Sequence, residues 1–194
     1  MRIIGIAGSL REGSYNAKLL DAAAGALPAD VEYERWSGLA ELPIYDADSD
    51  EPGIVPAAVE VLRAVVTSAD GVLFATPEYN GTIPGGLKNA VDWLSRPFGE
   101  SALNNNPVAV IGASTGRFGG VWAQADLRKA LGIAGARVVD AELAVPGAAE
   151  AFDTAGELVD GELAGRLAAF VAEFASEARV SALESRAKAA SVVT

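Results

Sequence analysis

Residues 2–16 run Arg2-Ile3-Ile4-Gly5-Ile6-Ala7-Gly8-Ser9-Leu10-Arg11-Glu12-Gly13-Ser14-Tyr15-Asn16. Ile3 to Ala7 is an unbroken apolar run, as expected of a strand covered on both faces. Gly8 to Ser14 is small and polar. A helical pattern then takes over, with Tyr15, Leu19, Ala23 and Leu27 spaced by four until Pro28 stops it. A buried strand that passes through small residues into a helix is the first half of a βαβ unit.

The same alternation continues outward along the chain. Val31 to Trp36 alternates apolar and charged residues, which suits a half-exposed strand near an edge. Ser37 to Gly53 reads as a long polar loop, with Asp46/Asp48 and Asp50/Glu51 as solvated carboxylates. Val55, Val59, Leu62 and Val66 mark an amphipathic helix with Pro56 in its first turn. Gly71 to Thr76 is a second buried strand, and Pro84 opens a helix with Leu87, Ala90, Val91 and Leu94 on one face. Val108 to Ile111 is a third buried run, followed by a helix through Ala123, Leu127, Ala130 and Leu131 that Gly132 caps. Val138 to Val145 carries Asp140 and Glu142 on one face and reads as a single edge strand. Leu163, Leu167, Phe170, Val171 and Phe174 define the last helix. From Arg179 the chain is rich in alanine and serine, so residues 1–178 form one domain and 179–194 a helical extension or tail.

Five strands alternating with five helices predict an α/β fold: a doubly wound, five-stranded parallel sheet with helices on both faces. Right-handed crossovers favour the order 2-1-3-4-5, and such sheets bind ligands beyond the carboxyl ends of their strands. Three unusual loops lie there, at 8–16, 77–83 and 114–120.

Composition narrows the chemistry. The chain has 194 residues, 26 acids against 15 bases, and a net charge of −11, which argues against a nucleic-acid partner. No cysteine and no histidine occur. Thiolate nucleophiles, the usual Ser-His-Asp triad and the common zinc sites are therefore excluded. No apolar stretch is long enough to cross a membrane, and the N-terminal run Arg2 to Gly8 is too short for a signal peptide's apolar core and has no cleavage site, so a cytoplasmic protein is expected.

In the first loop, Ser9, Ser14 and Asn16 supply short donors beside a helix N-terminus, and Arg11 supplies a planar cation. A phosphate monoester fits there; so does a capped helix with a solvated arginine. Neither Gly-x-x-x-x-Gly-Lys-Ser/Thr nor Gly-x-Gly-x-x-Gly is present. The second loop, Thr76-Pro77-Glu78-Tyr79-Asn80-Gly81-Thr82-Ile83-Pro84-Gly85-Gly86, has a backbone stiffened by proline and opened by glycine. It is either a rigid connector or a surface for a flat ligand. The third, Ser114-Thr115-Gly116-Arg117-Phe118-Gly119-Gly120, leaves the same two options open.

Together, Gly8-Ser9-Leu10-Arg11 with Ser14 and Asn16, then Thr76-Pro77-Glu78-Tyr79-Asn80, then Pro84 to Arg96 resemble the NADPH-dependent FMN reductase family. More narrowly they resemble the bacterial flavoproteins described as quinone and chromate reductases. The resemblance spans roughly residues 2–175 and implies a flavodoxin-like fold that binds FMN. It places Ser9, Arg11, Ser14 and Asn16 on the FMN phosphate. Pro77, Glu78, Tyr79, Asn80 and Gly81 would line the isoalloxazine, largely through backbone groups, and Ser114, Thr115 and Gly116 would close the other side.

The implied activity is ping-pong hydride transfer from NADPH or NADH through flavin N5 to quinones, free flavin or other small oxidants such as chromate. The flavin carries the chemistry, so no catalytic side chain is named. The alternative is a non-enzymatic FMN electron carrier of flavodoxin type, which the acidic charge favours and the first loop's sequence does not. Arg117 is the basic residue of the second and third loops; it either guides an anionic donor or acceptor or is a solvated loop arginine. Trp93 projects about 100° off the apolar stripe of its helix, which marks either a wedge in its own fold or an interface anchor. A homodimer or a dimer of dimers is the assembly the resemblance implies.

Overall fold

The computed structural model describes residues 1–192. Five parallel strand positions lie in the order β2-β1-β3-β4-β5, as the alternation predicted. β1 (Arg2–Ala7) sits between β2 (Glu32–Trp36) and β3 (Gly71–Ala75), and β3 pairs with β4 (Pro107–Ala113). β3 and β4 are buried at every position, which is why they read as continuous apolar runs. β2 is an edge and keeps its charged residues outside.

The helices form two layers. α2 (Ala57–Thr67), α3 (Gly85–Leu94) and α4 (Val121–Ile133) cover one face, packing Val59, Leu62, Leu87 and Leu127 against Ile4, Ile6, Phe74 and Val110. α1 (Tyr15–Gly25) and α6 (Gly161–Val192) cover the other, where Leu19, Leu20, Phe170 and Phe174 meet Ile3, Leu73 and Ile111. A four-residue helix, α5 (Ala148–Ala151), lies between them in sequence.

The far edge departs from the expected single strand. It is split into β5 (Arg137–Val138) and β6 (Leu143–Val145), both paired with β4. β4 advances from Val108 to Ile111 while the edge chain advances from Val138 to Leu143, so two extra residues leave the ladder. Arg128 of α4 holds this bulge from below. It donates to the carbonyls of Val139 at 2.9 Å and Ala141 at 2.7 Å, and pairs with Asp140.

Smaller corrections follow the same logic. Gly132 lies inside α4, and the chain turns instead at Gly135, whose φ is +96°. Pro56 precedes α2 and supplies the carbonyl that Val59 and Glu60 bond to. Asp50 is not solvated: its side chain is 10% exposed and pairs with Arg63 at 2.8 Å, and Arg63 also donates to the Trp93 carbonyl.

α6 runs unbroken across residue 178. Ala178 and Ser181 are buried, Arg179 bonds both carboxylate oxygens of Asp30, and Glu184 pairs with Arg137. Residues 193 and 194 lie outside the described residues.

Candidate functional site

The loops after β1, β3 and β4 emerge at the carboxyl ends of adjacent strands and are fastened to one another in pairs. Between the first and second, the Gly8 N–H donates to the Ala75 carbonyl at 2.8 Å. A Cβ on Gly8 would stand 2.6 Å from Leu87 Cδ2 and 3.2 Å from Pro77 Cδ, so only glycine allows this approach. Between the first and third, the Asn16 amide donates to the Ala113 carbonyl and accepts from the Ala113 N–H, both at 2.9 Å. Between the second and third, Glu78 Oε2 accepts from the N–H groups of Trp122 at 3.0 Å and Ala123 at 3.1 Å. Thr82 adds a hydrogen bond to Asp126 at 2.6 Å.

The first loop is an open cluster of donors. Ser14 caps α1 by accepting from the Ala17 N–H, and the first turn of that helix holds no acidic residue. Among the described residues, the N–H groups of Glu12, Gly13, Ser14, Tyr15 and Asn16 have no acceptor. Arg11 is exposed; its guanidinium donates to the Gly13 carbonyl at 3.1 Å and lies 5.0 Å over the Tyr15 ring. Lys18 approaches the same ring, with Nζ 5.7 Å from the centroid. Ser9 Oγ accepts from the Arg11 N–H. Free amides, a positive helix end and two cations in one place are what a dianionic phosphate requires.

The second loop ends in a two-residue reversal. Asn80 and Gly81 both have positive φ, 54° and 75°, and Tyr79 and Thr82 exchange N–H to carbonyl bonds at 3.2 Å. This is a type I′ turn, for which Asn-Gly is the favoured pair. Pro77 is buried and Tyr79 is half exposed. In the third loop, Ser114 Oγ accepts from the Gly116 N–H, while Ser114 and Gly116 are tied by backbone bonds to Val145 and Gly147. Thr115, Gly116 and Arg117 face solvent. Arg117 lies 5.1 Å over the Phe118 ring, and Phe118 packs on Trp122 with centroids 5.0 Å apart.

The structure gives several of these residues contacts within the protein. The buried Asn16 uses its amide oxygen and one N–H on Ala113, so it fixes the first loop against the third before it meets any ligand. Glu78 turns its carboxylate to the start of α4, leaving its backbone to the second loop. Trp93 is not an interface anchor: it is fully buried, its Nε1–H donates to the Pro43 carbonyl at 2.8 Å, and Tyr45 packs edge-on at 4.8 Å. The loop 37–53 folds over it, which helical periodicity has no way to show. Lys18, Phe118 and Trp122 were missed.

A cavity of about 550 Å³ lies elsewhere, lined by Lys88, Arg96, Phe98, Asn104 and Ile133. It opens beside the segments that lead into β4 and β5, at the amino ends of the strands, whereas open α/β sheets bind ligands at the carboxyl ends. No metal-holding group of His, Cys, Asp or Glu occurs among the described residues, and no helix among them is long and apolar enough to cross a membrane.

The family model of the NADPH-dependent FMN reductases matches residues 1–150. The chain belongs to that family. This reductase is 42% identical over 161 residues to the NAD(P)H-dependent FMN reductase of Pseudomonas aeruginosa, covering 82% of this chain and 85% of the relative. It is 40% identical over 131 residues to the quinone reductase of Escherichia coli, covering 68% and 69%. Among solved structures it resembles the NAD(P)H:(acceptor) oxidoreductase FerB of Paracoccus denitrificans, with a TM-score of 0.82 and 33% identity over 92% of this chain and 97% of that one. The reductase is thus a flavodoxin-like FMN enzyme that takes electrons from NAD(P)H. FMN fits the donor set: the first loop offers unpartnered amides and Arg11 to one phosphate, and the stiff second loop stands next to it.

Proposed function

We propose that this reductase transfers two electrons from NAD(P)H to quinones, with FMN held across the three loops. The balanced reaction takes NAD(P)H, a proton and a quinone to NAD(P)⁺ and a hydroquinone. When bound, FMN supplies a hydride acceptor and a two-electron store. Ser9, Arg11, Ser14 and the free amides of residues 12–16 bind the phosphate, with Asn16 holding them in place. Pro77 to Gly81 present backbone groups and the Tyr79 ring to the isoalloxazine. Ser114, Thr115 and Gly116 close the opposite side, and Arg117 stands at the mouth.

The observation that carries this reading is the set of unpartnered amides at the start of α1, beside Arg11 and fastened to the rigid second loop. Relatives described as quinone reductases and as a 2-hydroxy-1,4-benzoquinone reductase, each 40% identical, point to the acceptor class. One mouth serves both donor and acceptor in turn, so the kinetics are ping-pong, and free flavin or chromate are further acceptors. A homodimer, or a dimer of dimers, would cover Phe98 and Ile133, which are 85% and 75% exposed beside the cavity.

The test is anaerobic stopped-flow reduction of the bound flavin by NADPH and by NADH, followed by reoxidation with a quinone panel. Flavin released by heat should chromatograph as FMN. Recovery of FAD, or of no flavin after reconstitution, would falsify the reading. Reduction without reoxidation by any quinone would leave an electron carrier. Light scattering checks the assembly, and a concentration-independent monomer refutes the dimer.

A further inference from the structure

The start of α4 carries a group that FMN binding leaves unused. Arg117, Phe118 and Trp122 are stacked in sequence order, guanidinium over ring at 5.1 Å and ring on ring at 5.0 Å with 59° between the planes. Phe118 is 49% and Trp122 51% exposed, whereas the other two tryptophans, Trp36 and Trp93, are buried at 8% and 0%. Arg117 takes part in no ion pair among the described residues, in a chain of net charge −11. A bare cation and two half-bare rings held together on an acidic surface call for a ligand that is both flat and negative.

The stack is also anchored to the site. The Trp122 N–H is held by Glu78 of the second loop, and Asp126, one turn further along α4, holds Thr82. Arg117 itself follows Gly116 of the third loop. Whatever rests on these rings is therefore kept in fixed relation to both loops that border the proposed flavin site.

We propose that Arg117, Phe118 and Trp122 form an acceptor subsite for planar aromatic anions, above all hydroxyquinones ionised at neutral pH; this rests on the quinone-reductase reading. The acceptor ring lies against the Trp122 face, and its charged oxygen meets the guanidinium donors. A neutral quinone uses only the stacking half of the subsite. NAD(P)H also carries a flat ring beside its phosphates, the adenine, so the kinetic test below separates acceptor from donor.

Two measurements on the holoenzyme test this. In the first, tryptophan emission is titrated with 2-naphthoate and with neutral 2-naphthamide; as the half-exposed tryptophan, Trp122 reports occupancy. The expected result is saturable quenching at least fivefold tighter for the anion, with the preference lost in Arg117→Ala and the signal lost in Trp122→Phe. The second compares kcat/KM for 2-hydroxy-1,4-naphthoquinone and 1,4-naphthoquinone, whose ratio should fall about tenfold in Arg117→Ala. Equal binding of the two naphthyl probes overturns the proposal. So does an unchanged ratio with a raised KM for NADPH, which would assign Arg117 to the donor. A lower mass in light scattering for Trp122→Ala overturns it as well, since the rings would then be a subunit contact. Failure of NADPH to reduce any bound flavin defeats the reductase reading separately, and the naphthoate titration still decides the subsite.

Discussion

Glu78 accepts a hydrogen bond from the backbone N–H of Trp122 at 3.0 Å, across 44 positions of sequence. The same oxygen accepts from Ala123, so one carboxylate satisfies two of the orphan amides at the start of α4. Gly120, at the N-cap position with φ +79°, offers no side chain for the task. The second loop thus supplies the cap that the third loop lacks, and the two are held together.

Replacing Glu78 by alanine should destabilise the fold by about 1–2 kcal/mol, the usual cost of a lost helix cap. Glu78→Gln keeps an acceptor and loses only the charge at the helix end, worth about 0.3–1 kcal/mol. Urea unfolding of both variants checks the order. A glutamine variant as unstable as the alanine one would mean that the charge, and not the geometry, carries the cap.

Arg11→Ala should weaken FMN binding by about 1.5–3 kcal/mol, the range for hydrogen bonds to charged groups. Riboflavin, which has no phosphate, should bind nearly as before. Fluorescence titration of the apoprotein with both flavins gives the comparison. Equal losses would show that Arg11 acts through its contacts with Gly13 and Tyr15.

Two glycines with nearly the same φ separate strain from crowding. Gly13 has φ +68° with nothing within 4 Å of an added Cβ, while Gly119 has φ +62° with the Val145 backbone nitrogen at 2.8 Å. Gly13→Ala should cost only the left-handed penalty, roughly 1–2 kcal/mol. Gly119→Ala should cost clearly more, because backbone has to move. Equal unfolding midpoints for the two variants would sink this account.

Asp30 is exposed, yet its carboxyl is held below the usual carboxylate value, chiefly by its hydrogen bonds from Arg179. A lowered folded-state pKa means that the contact stabilises the docked end of α6 at neutral pH. That contribution is lost as pH falls through the lowered value. Carboxyl-carbon NMR should show Asp30 titrating below its ordinary 3.8, and Arg179→Ala should move it up. No movement would detach Arg179 from this role.

The sequence by itself determined the architecture. β1, β3 and β4 are buried on both faces, and burial leaves a mark on composition that needs no coordinates: Ile3 to Ala7, Gly71 to Ala75 and Val108 to Ile111 are apolar throughout. The strand order followed, and with it the end of the sheet where the three loops lie. The three loops stood out in the sequence through their glycines, prolines and short polar side chains.

Only the tertiary structure decided which of those side chains are free for a ligand and which hold the loops together. Asn16 and Glu78 are polar side chains of the kind that could face a ligand, but their partners, Ala113 and Trp122, stand 97 and 44 positions away. Trp93 stays open between wedge and interface anchor in the sequence for the same reason, because Pro43 and Tyr45 cover it from a loop with no periodicity. The split of the far edge into β5 and β6 depends on Arg128 reaching Val139 and Ala141 from the neighbouring helix. Periodicity records whether a side chain is buried by its own element. It does not record a hydrogen bond whose partner is brought into range only when the sheet has formed.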